Sequence, residues 1–439
     1  MLKSPLFWKV ITLSGCMVLL LVPLSMLSSL VSERSLYRDS VEQQLSQSTS
    51  NGQRLVGPFI AIPYGETVKV WQDGKPVDQV EHKVRWLLPE QLKVSADQQV
   101  STRSIGIYDG QIWRAKTQLQ ARFATESLKD LQQPNIAIGT PKVVMAVGDS
   151  RGISELSSLA VNEERYNFQP GSGITDLPQG VHLEIPAEIL SQKNLNLSFS
   201  LTLLGTQYLD VVPLGRSSSF ALNSNWPHPS FIGNFLPESR EVSARGFNAS
   251  WQSSWFANNI DSRFRSDDSS PKFANLPVFS STVINPVDHY QLTERAVKYA
   301  VLLICLTFMA FFLFETLTSL RVHPMQYLLI GLSLVMFFLV LLALSEHIGF
   351  NYAWLTASLS CATLNGVYLR AVLQGRRAAL AFALGLLLLD AVLWLLLQSE
   401  DSALLLGTGV LMVALAAVML LTRKIDWYGI SLSRASDKP

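Results

Sequence analysis

The distribution of apolar residues constrains this chain more than any other feature. One long apolar segment lies near the start, about 265 residues without such a segment follow, and five more lie between residues 298 and 422. Each has roughly the 20 residues that a helix needs to cross about 30 Å of hydrocarbon. The segments are 10–31, 298–319, 325–344, 352–373, 378–397 and 403–422. The pattern predicts a membrane protein with six transmembrane helices and a large domain inserted between helices 1 and 2.

Lys and Arg in the short loops predict the orientation, because such loops stay in the cytoplasm. The basic residues that flank the segments are Lys3, Lys9, Arg321, Arg370, Arg376, Arg377, Arg423 and Lys424, whereas loops 345–351 and 398–402 contain none. Both termini are therefore expected in the cytoplasm, and the insert on the outer side of the membrane. The first segment is longer than a signal-peptide core and no Ala-x-Ala site follows it, which favours an uncleaved signal anchor.

Short runs rich in Val, Ile, Phe, Trp and Thr, bounded by Gly, Pro, Asp and Asn, predict a β-rich, sandwich-like insert. Asp109-Gly110 is typical of a two-residue hairpin turn. Residues 33–50 are expected to continue the first helix for a few turns, short helices are expected near 126–132 and 186–192, and 262–275 is expected to be a flexible loop. The predicted domains are 1–31, 32–296, 297–422 and 423–439.

Charge and motifs exclude several function classes. The insert carries about as many acidic as basic residues, so no basic stripe predicts nucleic-acid binding. The six histidines are scattered and no metal-ligand spacing, Walker A motif or dinucleotide fingerprint occurs. All three cysteines lie in apolar segments, so no disulfide framework is expected in the insert. We therefore predict no metal and no cofactor.

One motif matches a hydrolase pattern, because GDSRG (148–152) fits G-x-S-x-G. A nucleophilic serine there needs a strand that enters a sharp turn and then a helix. Residues 142–147 suit a strand and 153–159 could form the helix. The surroundings look antiparallel and the pattern is short, so a polar turn is the favoured interpretation and a hydrolase with Ser150 is an alternative.

Two further groups are candidates for function. Trp226 and His228 lie in a run with two prolines, which forms either an exposed sugar-stacking surface or, as we favour, a buried corner. The apolar segments and their flanks contain Glu315, Arg321, His323, Glu346, His347 and Asp390. Ionisable groups at membrane depth are costly and often functional. They suit either a proton or ion pathway or interhelical hydrogen bonds, such as one between Asp390 and Asn365.

Several strings of residues resemble the CreD family of inner membrane proteins. They are SPLFWK (4–9), LVGPFIAIP (55–63), NSNWPHPSF (223–231), WQSSWFANN (251–259), FMAFFLFETL (308–317) and HPMQYLL (323–329). The resemblance covers essentially the whole chain. It implies a Gram-negative inner membrane protein linked to the Cre two-component system, to tolerance of colicins and β-lactams, and to envelope stress. It implies no catalytic residues.

The sequence therefore predicts a non-enzymatic inner membrane protein of the envelope stress response. Its partners are expected to be the lipid bilayer and, through the periplasmic domain, a periplasmic protein or a cell-wall component. A transporter or channel that uses the intramembrane acids is the first alternative, and a periplasmic hydrolase is the second.

Overall fold

A computed structural model of the chain describes residues 5–72, 75–162, 164–264, 273, 275–284, 289–318, 322–372, 375–399 and 403–423. The chain divides into two compact units. The helical unit comprises Met1–Asp39 and Val287–Pro439, and the β unit comprises Ser40–Pro286. Arg321, most of the predicted loop 262–275 and the tail from residue 424 lie outside the described residues.

The α-helices include six long ones and a single turn in the β unit. They are α1 (Pro5–Ser48), α2 (Trp255–Asn258), α3 (His289–Thr318), α4 (Pro324–Ile348), α5 (Phe350–Val372), α6 (Arg376–Gln398) and α7 (Ala403–Thr422). Among the described residues, α1, α3, α4 and α6 are long and apolar enough to cross a membrane. The apolar part described for α7 is shorter, and α5 carries several polar side chains. Six spans therefore remain a prediction.

Helix α1 extends beyond the hydrocarbon-length segment as expected, running without interruption for 44 residues. Its last turns carry polar residues with Val41 and Leu45 buried beneath them. This spacing places both apolar side chains on one face of the helix, so the extension is held by packing. The last part of α1, from Ser40, belongs to the β unit.

The β unit consists of strands with short turns and four short 3₁₀ helices. The strands are β1 (Gln53–Gln72), β2 (Lys75–Leu87), β3 (Gln91–Ile105), β4 (Tyr108–Ala124), β5 (Ile136–Ile138), β6 (Lys142–Ala146), β7 (Ile153–Leu156), β8 (Leu159–Val161), β9 (Glu164–Tyr166), β10 (Gln169–Pro170), β11 (Gly180–Glu184), β12 (Asn194–Thr206), β13 (Tyr208–Val211), β14 (Ser217–Ser224), β15 (Pro229–Ser230), β16 (Ser239–Ser243), β17 (Gly246–Ser254) and β18 (Phe279–Val283). The 3₁₀ helices are Thr125–Leu131, Ser150–Gly152, Ala187–Ser191 and Ile260–Arg263. The first and third of these lie where short helices were predicted.

These strands form two nine-stranded sheets. The first has the order β10-β11-β6-β1-β13-β18-β15, with β2 and β5 also paired to β1. The second has the order β16-β17-β14-β3-β4-β12-β8-β9, with β7 also paired to β12. Most pairs are antiparallel, but β1 with β13 and β14 with β3 are parallel.

Both sheets contribute to one hydrophobic core. In β3, buried Leu92, Val94 and Ala96 alternate with exposed polar residues, as a half-buried strand requires. Aromatic rings join the sheets, since Phe279 of the first lies 6.5 Å from Phe220 of the second, measured between ring centroids. The β unit is therefore a two-layered β structure over a shared core.

Two local predictions are wrong. The turn between β3 and β4 lies at Gly106-Ile107, because Ile105 pairs with Tyr108 and Asp109 pairs with Ser104 inside the ladder. Gly106 supplies the positive φ of +64° that this turn needs. Residues after the G-x-S-x-G motif form strand β7 and not a helix, because they pair with β12.

Candidate functional site

Glu315, predicted as an intramembrane acid, lies at the centre of a cluster that joins three helices. Its side chain is 5% exposed at the end of α3. It accepts hydrogen bonds from Nζ of Lys9 on α1, from the backbone N–H of Val322 at 3.0 Å and from the hydroxyl of Tyr327 on α4 at 2.9 Å. The carboxylate is thus compensated by one cation and two neutral donors, which suits a structural joint.

Glu346 lies in a matching cluster at the opposite end of α4. The Tyr290 hydroxyl of α3 donates to its Oε1 at 3.0 Å, and Nε of Arg34 on α1 lies 3.9 Å from the same oxygen. Each cluster therefore combines a carboxylate, a tyrosine and a base from α1. Helices α3 and α4 exchange roles between the two, because one supplies the tyrosine where the other supplies the carboxylate.

The spacing of the two clusters fits the apolar stretch between them. Lys9 and Arg34 are 25 residues apart on α1, a rise of about 37 Å. Tyr290 and Glu315 have the same separation on α3. Because Glu315 lies in the cluster of Lys9 and Tyr290 in the cluster of Arg34, α3 runs antiparallel to α1. The clusters therefore bind α1 to α3 and α4 at both ends of a stretch slightly longer than a hydrocarbon core.

The two histidines predicted as functional candidates, His323 and His347, are both exposed and lie at opposite ends of α4. Nδ1 of His323 accepts from the N–H of Met325 at 3.2 Å, and Oε1 of Gln326 accepts from the N–H of His323 at 3.1 Å. These two bonds make a capping box at the start of α4. His347 follows Glu346 on the exposed side of α4.

Asp390 is the most deeply buried acid of the helical unit, with 3% of its surface exposed. The proposed hydrogen bond with Asn365 is wrong, because Nδ2 of Asn365 donates to Oγ of Ser333 at 2.7 Å and to the carbonyl of Cys361 at 2.9 Å. Oδ1 of Asp390 has no hydrogen-bond partner among the described residues. A carboxyl in this setting is costly, so packing alone does not explain Asp390.

The G-x-S-x-G segment packs tightly against the residues that follow α1. The Ser150 hydroxyl accepts the N–H of Gly180 at 2.8 Å. Oδ2 of Asp149 accepts from N and Nδ2 of Asn51, both at 3.2 Å, and Nη1 of Arg151 donates to the Gln47 carbonyl at 2.5 Å. The Arg151 guanidinium also donates to the Asp149 carboxylate. This hydrogen bond holds the pKa of Asp149 below its usual range, although burial alone would raise it.

Both glycines of this motif are required by close contact. A Cβ at Gly148 would lie 2.7 Å from the carbonyl oxygen of Gly52, and one at Gly152 would lie 2.4 Å from that of Leu204. Nε2 of Gln53, which is fully buried, bridges the Asp149 carbonyl at 2.9 Å and the Leu204 carbonyl at 3.0 Å. The motif therefore forms the joint between the end of α1 and both sheets.

Trp226 and His228 lie beside an apolar cavity of about 540 Å³. Nε1 of Trp226 donates to the Ile284 carbonyl at 2.9 Å, which makes Trp226 a half-buried corner, whereas His228 is exposed. We call the cavity the Arg240 notch. It is lined by Pro227, His228, Pro229, Ser230, Phe231, Leu236, Arg240, Val242 and Ile284.

A second, polar cavity of about 950 Å³ lies over the outer face of the second sheet. We call it the polar trough, and its lining includes Ser95, Asp97, Gln118, Asn223, Glu241, Asn248 and Arg240, which lines both cavities. Among the described residues, no group of three or more His, Cys, Asp and Glu side chains could hold a metal ion.

Sequence reasoning found the two glutamates but missed their partners Lys9, Arg34, Tyr290 and Tyr327. It also missed the apolar wall of the notch. The partners of Glu315 include a residue 306 positions away, and no local pattern reports such a pairing. Val242 lies in the polar run SREVS, which gave no signal of a binding surface.

Long apolar helices together with a large β-rich domain are typical of a membrane protein that carries a folded β domain. Residues 5–428 match the family model described as "Inner membrane protein CreD". The chain is 53% identical over 434 residues to "Inner membrane protein CreD" of Escherichia coli (strain K12), covering 99% of this chain and 96% of that protein. The chain belongs to the family of inner membrane protein CreD, as its sequence predicted.

Proposed function

We propose that this protein is a non-enzymatic inner membrane protein whose β unit binds an envelope partner, either a periplasmic protein or a cell-wall component. The helical unit anchors the β unit or relays its state across the membrane. The protein serves the response to envelope stress, and its link to Cre regulation and to colicin and β-lactam tolerance rests on family resemblance.

The proposed topology has six spans, both termini in the cytoplasm and the β unit in the periplasm. Its support is the alternation of charge, since Arg376 and Arg377 follow α5 and Arg423 follows α7, whereas loops 345–351 and 398–402 contain no Lys or Arg. The two glutamate clusters add support, because they bracket an apolar stretch of α1 and α3 that is long enough to span.

The observation that carries the proposed binding role is the Arg240 notch. Soluble surfaces seldom leave large apolar side chains around a cavity unless something binds there. Leu236 is 74% exposed and Val242 is 53% exposed beside this cavity. A binding role also fits Ser150, because its hydroxyl accepts the N–H of Gly180 and its neighbour Arg151 donates to the Gln47 carbonyl near the end of α1.

Photo-crosslinking in living cells tests this function. A photoreactive residue at Val242 samples the notch, one at Asn223 samples the polar trough, and one at Val80 is the control, since Val80 has the same 53% exposure on β2. We expect a discrete adduct from Val242 or Asn223 that is absent at Val80. Recovery of phospholipid alone from all three positions would contradict the partner-binding role. The hydrolase alternative predicts that Ser150→Ala abolishes the cellular phenotype, and we expect no change.

The alternative function is transport, and the observation that favours it is Asp390. Its Oδ1 is buried without a partner among the described residues, as a site for a transported proton or cation could be. Asp390→Asn in a proteoliposome flux assay separates the two functions. A transporter loses proton-coupled flux, whereas a binding protein retains its phenotype and its crosslinks.

A further inference from the structure

The Arg240 notch exists because the core face of an edge strand is left uncovered. In the pairing of β16 with β17, Arg240 lies opposite Ala249 and Val242 lies opposite Phe247. Opposite residues share a face of the sheet, and Ala249 and Phe247 are both buried in the core. Arg240 and Val242 therefore point to the core side, yet both are exposed.

These side chains are left uncovered because both sheets end on this side of the β unit. Strand β16 is the last strand of the second sheet on this side, and the first sheet ends at the two-residue strand β15. The floor of the notch is continuous with the core, since the ring of Phe231 lies 5.5 Å from the rings of both Phe247 and Trp251. A ligand in the notch would therefore extend the hydrophobic core of the β unit.

The Arg240 notch carries a positive charge. Arg240 is its one permanently charged lining residue, and within the described ranges it has no ion-pair or hydrogen-bond partner. His228 is the other ionisable lining residue. Arg240 also lines the polar trough, together with the acids Glu238 and Glu241. Neither acid forms an ion pair with Arg240 within the described ranges, and Glu241 pairs opposite Asn248 on the outer face. An unpaired guanidinium beside apolar walls is complementary to a carboxylate that is flanked by apolar groups.

We propose that the notch binds an extended segment of a partner protein in which apolar side chains flank an acidic residue. This inference rests on the proposed partner-binding function of the β unit. The apolar side chains cover Val242, Leu236 and Phe231, and the carboxylate pairs with Arg240. The concavity has the volume of a typical ligand pocket. Its apolar lining does not match the hydroxyls of a glycan, and a flat bilayer does not enter a concavity.

Peptide titration of the purified full-length protein in detergent tests this pairing. The probes are fluorescent acetyl-Leu-Val-Asp-Leu-Val-amide and the same peptide with Asn or Lys in place of Asp, followed by anisotropy. We expect the Asn peptide to bind about fivefold more weakly than the Asp peptide, the size of effect that a partly exposed ion pair supplies. Arg240→Glu should reverse the preference in favour of the Lys peptide, and Arg240→Lys should retain it.

Two matched controls separate the notch from general effects. Arg103→Glu reverses an exposed charge on β3, and Val80→Asp matches Val242→Asp at equal exposure. Binding of the Asp peptide should fall with Val242→Asp and persist in both controls. Equal binding of the three peptides, or indifference to Arg240→Glu, overturns the inference. If cells then still yield a protein adduct from Asn223, the proposed function stands without this site, and if Val242 captures only lipid, the notch is a membrane contact.

Discussion

Lys9 and Arg34 are cations at the two ends of the apolar part of one helix, and each has a carboxylate opposite. An unpaired charge at membrane depth is costly, and removing one member of a buried pair leaves the other uncompensated. Glu315 and Glu346 are therefore understood first as the counter-ions that let α1 pack against α3 and α4. The more enclosed cluster, around Glu315, should contribute more to stability.

The first prediction concerns this difference. Glu315→Ala leaves the Lys9 ammonium, the Tyr327 hydroxyl and the Val322 N–H without their acceptor, and we expect a loss of about 3–5 kcal/mol of unfolding free energy. Glu346→Ala should cost about 1 kcal/mol, because the Arg34 side chain is 42% exposed and its Nε lies 3.9 Å from the carboxylate oxygen. Reversible unfolding in mixed micelles measures both. Equal losses, or a larger loss at Glu346, would contradict the structural assignment.

The second prediction concerns pH. Arg151 lowers the pKa of Asp149 in the folded protein, so the unfolded state binds the proton more readily. The stabilisation is present above the unfolded pKa of about 3.9 and is lost as pH falls through the lower folded value. Stability of the β unit should therefore fall below about pH 4. Pulse proteolysis across pH measures this, with the β unit distinguished by fragment size.

Matched variants attribute that pH dependence to one residue. Asp149→Asn should cost about 1–3 kcal/mol at pH 7 and should flatten the loss at acid pH. Asp176→Asn alters an exposed acid of the same unit and should leave both unchanged. A full acid transition in Asp149→Asn would mean that other carboxylates cause it.

At this scale, sequence reasoning identified residues but not their partners. Glu315 and Asp390 stand out because they interrupt apolar runs, and that signal is local. Whether each is paired depends on helices far apart in the chain, which is why the Asp390–Asn365 pair was wrong and Tyr327 was missed. Arg240 gave no signal, because whether the opposing sheet covers its face depends on where that sheet ends.

At the scale of elements, the junction after α1 shows how motif and structure differ. The G-x-S-x-G segment contains the expected serine, but its glycines admit backbone from the residues after α1 and from β12. The motif predicted a sharp turn, and the structure has one. The residues after the motif, which could have formed a helix, form strand β7 because they pair with β12. Long alternating runs predicted strands and long apolar runs predicted helices correctly. The β3–β4 turn was predicted at the wrong residues, because its position depends on the register in which the two strands pair.

The third prediction tests this junction. Gly152→Ala places a methyl group 2.3 Å from Nε2 of Gln53 and 2.4 Å from the Leu204 carbonyl oxygen, where backbone cannot yield. Overpacking of this kind costs about 1–3 kcal/mol, so the β unit should become more sensitive to pulse proteolysis. Gly106→Asn is the control, since its Cβ meets nothing within 4 Å and Asn tolerates a φ of +64°. Equal sensitivity of the two variants would argue against a tight junction.

At the scale of the whole molecule, α1 is one continuous element that carries Lys9, Arg34 and Gln47 in turn. Lys9 and Arg34 make their contacts within the helical unit, whereas Gln47 belongs to the β unit, where its carbonyl accepts from Arg151. The order of elements and the family could be predicted from the sequence, because hydropathy and long residue strings are one-dimensional signals. The number of spans is harder to predict, since α5 carries Ser358 and Asn365 among its apolar residues and those positions pack inward.

The fourth prediction decides the topology by cysteine labelling. In a variant with Cys16, Cys305 and Cys361 replaced by Ala, single cysteines are placed at Asp176 in the β unit, at His347 before α5 and at Arg376 after it. An impermeant maleimide should label positions 176 and 347 in cells whose outer membrane alone is permeable, and position 376 only after the inner membrane is opened. The reason is that positive loops stay inside, so α5 must cross between positions 347 and 376.

Each failure of that experiment has a distinct structural meaning. Labelling of both 347 and 376 in cells whose outer membrane alone is permeable would show that α5 does not cross, and the number of spans would fall below six. Protection of 176 would place the β unit in the cytoplasm and remove the periplasmic partner for the Arg240 notch. Ser399→Cys and Arg423→Cys apply the same test to α7, whose described apolar part, Leu405–Leu420, is shorter than the candidate spans of α1, α3, α4 and α6. If both positions are labelled from one side, α7 lies against the bundle or the membrane surface, and α1 with α3–α6 must carry the topology alone.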